Sequence, residues 1–83
     1  MSDRRARIRE FLSRFFRQHQ LADGEDIFAL GFVNSLLAMQ LVSFIEKEFG
    51  VNVSDEDLDL DNFRSVERID HFVERKLVDA GVP

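Results

Sequence analysis

Few of the 83 residues have side chains suited to chemistry, so each can be weighed in turn. The chain has no Cys, which excludes a disulfide scaffold, a thiol nucleophile and any thiolate metal site. His19 and His71 lack a second ligand at helical spacing, so a zinc site is not expected. Asp55, Asp57, Asp59 and Asp61 alternate like the start of a calcium loop. Such a loop needs Gly at its sixth position and Glu at its twelfth. From Asp55 those positions hold Leu60 and Val66, and from Asp57 they hold Asn62 and Arg68, so the run reads as an acidic turn facing solvent or a basic partner. Gly24, Gly31, Gly50 and Gly81 are scattered and form no phosphate loop, and no Gly-x-Ser-x-Gly elbow is present. What remains is Ser35, which follows an apolar stretch and opens an amphipathic segment. Its simplest role is a helix cap. A hydroxyl at a helix N-terminus also stands at the positive end of the dipole, where an attached phosphate would be favoured.

The elements that must position these residues follow from apolar spacing. Ile8, Phe11, Leu12, Phe15 and Phe16 recur at i, i+3, i+4, i+7 and i+8, predicting an amphipathic helix over 4–18 with Arg on its other face. Periodicity then breaks from His19 to Asn34. This long loop carries Ile27, Phe28, Leu30, Phe32 and Val33, and is expected to pack them back onto the core. A second helix is predicted over Ser35–Phe49, burying Leu37, Leu41, Phe44, Ile45 and Phe49 and turning Leu36, Gln40, Ser43, Glu46 and Lys47 outward. Asn34 and Ser35 are both suitable caps. Gly50 suits the left-handed position that ends a helix, with Val51 as the closing apolar contact. Ser54 is expected to cap a short acidic turn whose Asp55, Glu56 and Asp57 sit at the positive end of the helix dipole, and Ser65 to open a last helix with Val66, Ile69, Phe72, Val73 and Leu77 inward. The expected fold class is all-α: a four-helix bundle of three long helices and a short third one, in a single domain spanning 1–83 with its core at about 5–78.

Composition narrows the function classes. A chain this short builds a modest core and no deep enclosed cleft, so a self-contained enzyme is not expected. No apolar run approaches the roughly 20 residues that span a membrane, and the Arg-studded start shows no secretory signal; a cytoplasmic protein fits best. The net charge is −5 but uneven: residues 1–17 hold six Arg against Asp3 and Glu10, a net of +4, leaving −9 for residues 18–83. An acidic body repels nucleic-acid phosphates. The Arg-rich start is expected to be a solvated face complementing that body, with contact to RNA or anionic lipid as the competing reading.

The stretch Leu30-Gly31-Phe32-Val33-Asn34-Ser35-Leu36 resembles the Leu-Gly-x-x-Asp-Ser-Leu attachment motif of acyl carrier proteins. Met39-Gln40-Leu41-Val42 and Glu46-Lys47-Glu48-Phe49-Gly50-Val51 continue the pattern of that family's second helix, and the resemblance covers about residues 5–78. It implies a carrier rather than a catalyst. A separate magnesium-dependent phosphopantetheinyl transferase would attach 4′-phosphopantetheine from coenzyme A at the position matching Ser35, so the missing sulfur would arrive with the arm and hold an acyl group as a thioester. Recognition positions implied by the resemblance are Asn34, Leu36, Met39 and Glu46, with Asp55, Glu56 and Asp57 in the acidic turn. The implied partners are the transferase and acyl-loading, tailoring, acyltransferase or ketosynthase enzymes, with the carrier a monomer that binds neither nucleic acid nor membrane. Complementary charge would serve such brief encounters by raising association rate and specificity.

The chain departs from the family pattern at two places. Asn34 stands where Asp is usual, removing a negative charge beside Ser35. Leu37, Gln40 and Lys47 occupy places often acidic in fatty-acid-synthesis carriers. The wording of this helix is most similar to stand-alone carriers of polyketide or hybrid pathways, including those bearing methoxymalonyl or hydroxymalonyl extender units. Two alternatives stay open: an aminoacyl or peptidyl carrier, and a helical interaction module in which Ser35 is only a cap and Leu36 with Met39 forms a docking patch.

Overall fold

The computed structural model describes residues 3–15, 22–29 and 35–79, with Ser35 and Leu60 described by backbone alone. In chain order the elements are α1 (Asp3–Ser13), α2 (Ser35–Phe49), a 3₁₀ turn (Asp55–Asp57), α3 (Leu60–Phe63) and α4 (Val66–Asp79). Among the described residues there is no strand, and the architecture is all-α as expected. The acidic residues form a 3₁₀ turn capped by Ser54 as expected, and the short third helix follows it, started by the Asp59 carboxylate accepting the Asp61 amide.

The core gathers one stripe from each long helix. Ile8 and Leu12 of α1, Leu37, Leu41 and Ile45 of α2, and Ile69 and Phe72 of α4 are buried. These positions recur at helical spacing, so each helix turns one apolar face inward and leaves its charges outside. Phe11 stacks on Phe44 with ring centroids 4.4 Å apart, and Phe44 meets Phe49 edge-on at 5.9 Å, joining α1 to α2. Phe44 and Phe49 are half-buried rather than enclosed.

The first helix is shorter than its periodicity predicts. Regular hydrogen bonding ends at Ser13, and Arg14 and Phe15 close in tighter bonds to Phe11 and Leu12. Phe15 consequently stands at the rim, 38% exposed, against the Phe11 ring. Phe16, Arg17 and Gln18 lie outside the described residues.

The end signals of the other helices are realised. Gly50 takes φ +67° and donates its amide to the Glu46 carbonyl, while Val51 is buried behind it. The buried Ser65 hydroxyl accepts the Arg68 amide and caps α4. The described part of the long loop is fixed to the same corner. The Asp23 carbonyl accepts the Glu67 amide at 2.8 Å, the Ile27 amide donates to the Arg64 carbonyl at 2.8 Å, and Ile27 is buried. The loop thus returns an apolar side chain to the core and supplies an acceptor to an α4 amide that would otherwise lack one.

The Arg residues of α1 are not a freely solvated face. Arg4 Nε and Arg5 Nε donate to the two oxygens of Asp70 at 2.6 and 2.8 Å. Arg4 also meets Glu74, Arg5 and Arg9 meet Asp23, and Arg7 meets Asp3 and Glu48. The Asp70 side chain is only 6% exposed. Burial pushes its carboxyl up, yet the guanidiniums of Arg5 and Arg4 outweigh burial and hold it below the ordinary carboxylate value. Arg4, Arg5 and Arg9 thereby clamp α1 to α4 and to the loop.

Candidate functional site

Ser35 is the first residue of α2, a helix of 15 residues and so about 22 Å long. Its first turn carries no acidic side chain, leaving the positive end of the helix dipole uncompensated by a local carboxylate. The Leu30–Asn34 part of the attachment pattern, and with it the capping role expected of Asn34, lies outside the described residues. From this end the helix shows two faces. Leu37, Leu41 and Ile45 are buried, while Leu36 and Met39 are 65% and 71% exposed. Leu58, just after the 3₁₀ turn, is also exposed. Leu36 and Met39, three positions apart, share one face of α2, and paired exposed apolar groups of this size suit an interaction surface.

Between α2 and the segment after it lies a cavity of about 490 Å³. Leu37, Met39 and Leu41 of α2 face Leu58 and Phe63 across it, with Ile27 and Phe28 of the loop completing the lining. Ser43 and Asp59 are the polar residues of the wall. Asp59 is already engaged as the cap of α3, so the interior is dominated by apolar surface.

The expected recognition residues separate into free and engaged groups. Leu36, Met39, Asp55 and Glu56 are exposed. Glu46 was expected to face outward, but it is half-buried and accepts the Val53 amide at 2.9 Å, fixing the chain after Gly50. Asp57 accepts Lys76 Nζ at 2.7 Å and both the amide and hydroxyl of Ser54 at 3.0 Å. The Lys76 bond, then the Ser54 amide, hold its carboxyl down at about 2. Two of the acidic groups expected to meet partners therefore also hold the fold.

The sequence reading missed Asp70, although a signal existed. It lies four residues after Val66 and three before Val73, so helical spacing puts it within the buried stripe of α4. Its partners could not be read that way, because Arg4 and Arg5 are more than 60 positions away. His71, dismissed as a ligand, is exposed, and His19 lies outside the described residues. Among the described residues, no helix is long and apolar enough to cross a membrane.

The start of α2 fits a covalently held phosphate group: a serine at the dipole's positive end, no carboxylate in the first turn, and an apolar surface running away from it. Comparison with curated proteins finds no match to the chain. The family profile described as the phosphopantetheine attachment site matches residues 5–69, from the Arg5 clamp through α2 to the first turn of α4. With most of its length so matched, the chain belongs to the phosphopantetheine-attachment family, whose cofactor is covalently bound 4′-phosphopantetheine.

Proposed function

We propose that Ser35 is the attachment residue and that the chain is a non-catalytic acyl carrier of polyketide or related secondary-metabolite assembly, monomeric and cytoplasmic. The observation that carries this reading is that the Ser35-Leu36 end of the Leu30–Leu36 sequence pattern opens α2, inside the matched span. The group attached there supplies a terminal thiol on which an acyl cargo is held as a thioester. The chain's own residues do the rest. Ser35 contributes its hydroxyl oxygen to the phosphodiester, and the helix N-terminus stabilises the resulting negative charge. Leu36 and Met39 offer apolar contact beside the attachment point, and the exposed Asp55 and Glu56 attract basic surfaces on the transferase and on acyl-handling enzymes. In this reading Asn34 tunes which transferase is accepted, Glu46 supports the helix end, and Asp57 acts mainly through the fold. The weaker acidity of α2 around Leu37, Gln40 and Lys47 supports partners other than those of primary fatty-acid synthesis, including enzymes that build oxygenated malonyl extender units.

Intact-protein mass spectrometry after incubation with coenzyme A, magnesium and a broad-specificity transferase tests the assignment. One phosphopantetheine should be added to the chain and none to Ser35→Ala. Addition that persists in Ser35→Ala would place the arm elsewhere, and no addition to either would favour the interaction-module reading. Loading assays with acyltransferases and with amino-acid-activating enzymes then distinguish acyl from aminoacyl cargo.

A further inference from the structure

Helix α4 carries two charged stripes set one residue apart. Glu67, Asp70 and Glu74 recur at i, i+3 and i+7 and so lie along the side that faces α1. That stripe is occupied, since Asp70 takes Arg4 and Arg5, and Glu74 takes Arg4. Arg68, His71 and Arg75 repeat the spacing one position later, which turns them about 100° round the helix to its outer side. All three are exposed. Among the described residues Arg68 and His71 make no ion pair, and Arg75 is held by neutral groups, Asn62 Oδ1 at 2.9 Å and the Phe72 ring at 5.8 Å. Arg64, the next cation toward the N-terminus, is by contrast paired with Asp26 and Asp61. Val78, three residues beyond Arg75, continues the outer side with an apolar side chain that is 68% exposed. An acidic body thus keeps an uncompensated basic ridge that ends in an apolar group.

We propose that this ridge is a docking surface for an acidic amphipathic helix of a partner protein. The inference stands on α4 alone and does not depend on the role of Ser35. Arg68 and Arg75 lie seven residues apart, about 10.5 Å along the axis, so carboxylates two turns apart on a facing helix meet both guanidiniums. His71 offers a ring N–H between them, and Val78 takes an apolar side chain about one turn further on. Arginine suits the role, because its planar fork pairs with a carboxylate through two bonds. The flanks of the ridge select the partner's shape. By helical phase, Glu67 and Glu74 border it on one side and Asp79 on the other. A broad anionic plane such as a membrane, or a nucleic-acid duplex, would meet these carboxylates as well and be repelled. A single helix seats between them.

Titrating the isotope-labelled chain with an alanine-based helical peptide of about 20 residues, followed by amide NMR shifts, tests this. The probe carries Glu at i, i+3 and i+7 and a Leu at i+10, and its counterpart has Gln in place of each Glu. Shifts should gather at residues 67–79 with the Glu peptide and vanish with the Gln peptide or in about 0.5 M salt. Combining Arg68→Gln with Arg75→Gln should weaken the apparent affinity by about five- to ten-fold, because two exposed charge pairs are lost. Arg68→Gln alone should cost about two- to three-fold, and since Arg68 has no ion pair in the fold, stability should not change. Replacing both by Lys keeps the charge and should hold affinity within about three-fold. Arg14→Gln, which removes an exposed cation beyond the end of α1, should leave binding unchanged. Equal affinity of the native and double Gln chains, equal binding of both peptides, or shifts centred away from α4 would overturn the proposal. The same α4 shifts with vesicles of phosphatidylcholine and phosphatidylglycerol would overturn the assignment to a protein partner.

Discussion

Replacing Asp70 by Asn tests whether the clamp between α1 and α4 is as central as its geometry implies. The variant keeps the side-chain volume and removes the charge that both Arg4 and Arg5 contact through their Nε atoms. Removing one partner of a fully buried ion pair costs about 3–5 kcal/mol, because an unpaired charge stays behind. Here the Arg4 and Arg5 side chains are 24% and 30% exposed, and they retain Glu74 and Asp23 as partners. The cost should therefore fall to about 2–3 kcal/mol. In a domain of this size that corresponds to a Tm lowered by about 8–24 °C. Urea unfolding followed by far-ultraviolet circular dichroism at pH 7 measures the difference.

The pH dependence gives the reasoning a second exposure to failure. The Asp70 carboxyl lies below its ordinary value in the folded chain, so its contribution is complete above the unfolded value of about 3.9. The contribution is lost as pH falls through the folded value. The gap between the native chain and D70N should thus be constant from pH 7 to about 5 and close at lower pH. A gap below about 0.5 kcal/mol at pH 7, or one that persists undiminished below the folded carboxyl's titration, would refute a clamp built on this charge.

Two further outcomes follow from local geometry. Gly50→Ala should lose about 1 kcal/mol in urea unfolding through backbone strain alone, since φ is +67° and an added Cβ meets nothing within 4 Å. Leu36→Ala should leave stability within about 0.5 kcal/mol, because the side chain is 65% exposed, yet slow transferase loading by about ten-fold in a kinetic mass-spectrometric assay if the apolar patch is the docking face.

The core of the bundle was legible because each long helix advertises its buried face. The spacing of Leu37, Leu41 and Ile45, and of Val66, Ile69 and Val73, leaves one consistent orientation per helix. Caps were legible for the same local reason: Gly50 and Ser65 act on backbone groups within four residues of themselves. The acidic turn after Ser54 was legible for the same reason, since Asp57 accepts the Ser54 amide within one turn, and the bounds of the short helix after it are set by Asp59 capping forward to Asp61. Glu46 was read as outward because helical phase cannot show that the chain after Gly50 curls back to present the Val53 amide to it.

By itself, the sequence determined the helical class, the buried stripes and the position of Ser35 at the start of α2, since these depend on periodicity and caps, and the lack of Cys excluded a thiol of the chain's own. Tertiary structure alone decided how the charges are used. It drew Arg4 and Arg5 onto Asp70, Arg9 onto Asp23 and Lys76 onto Asp57, converting what reads as a basic start and an acidic body into clamps within one fold. The physical reason is range. Apolar periodicity and capping act over a few residues, whereas an ion pair forms wherever packing brings opposite charges within about 4 Å, whatever their separation along the chain.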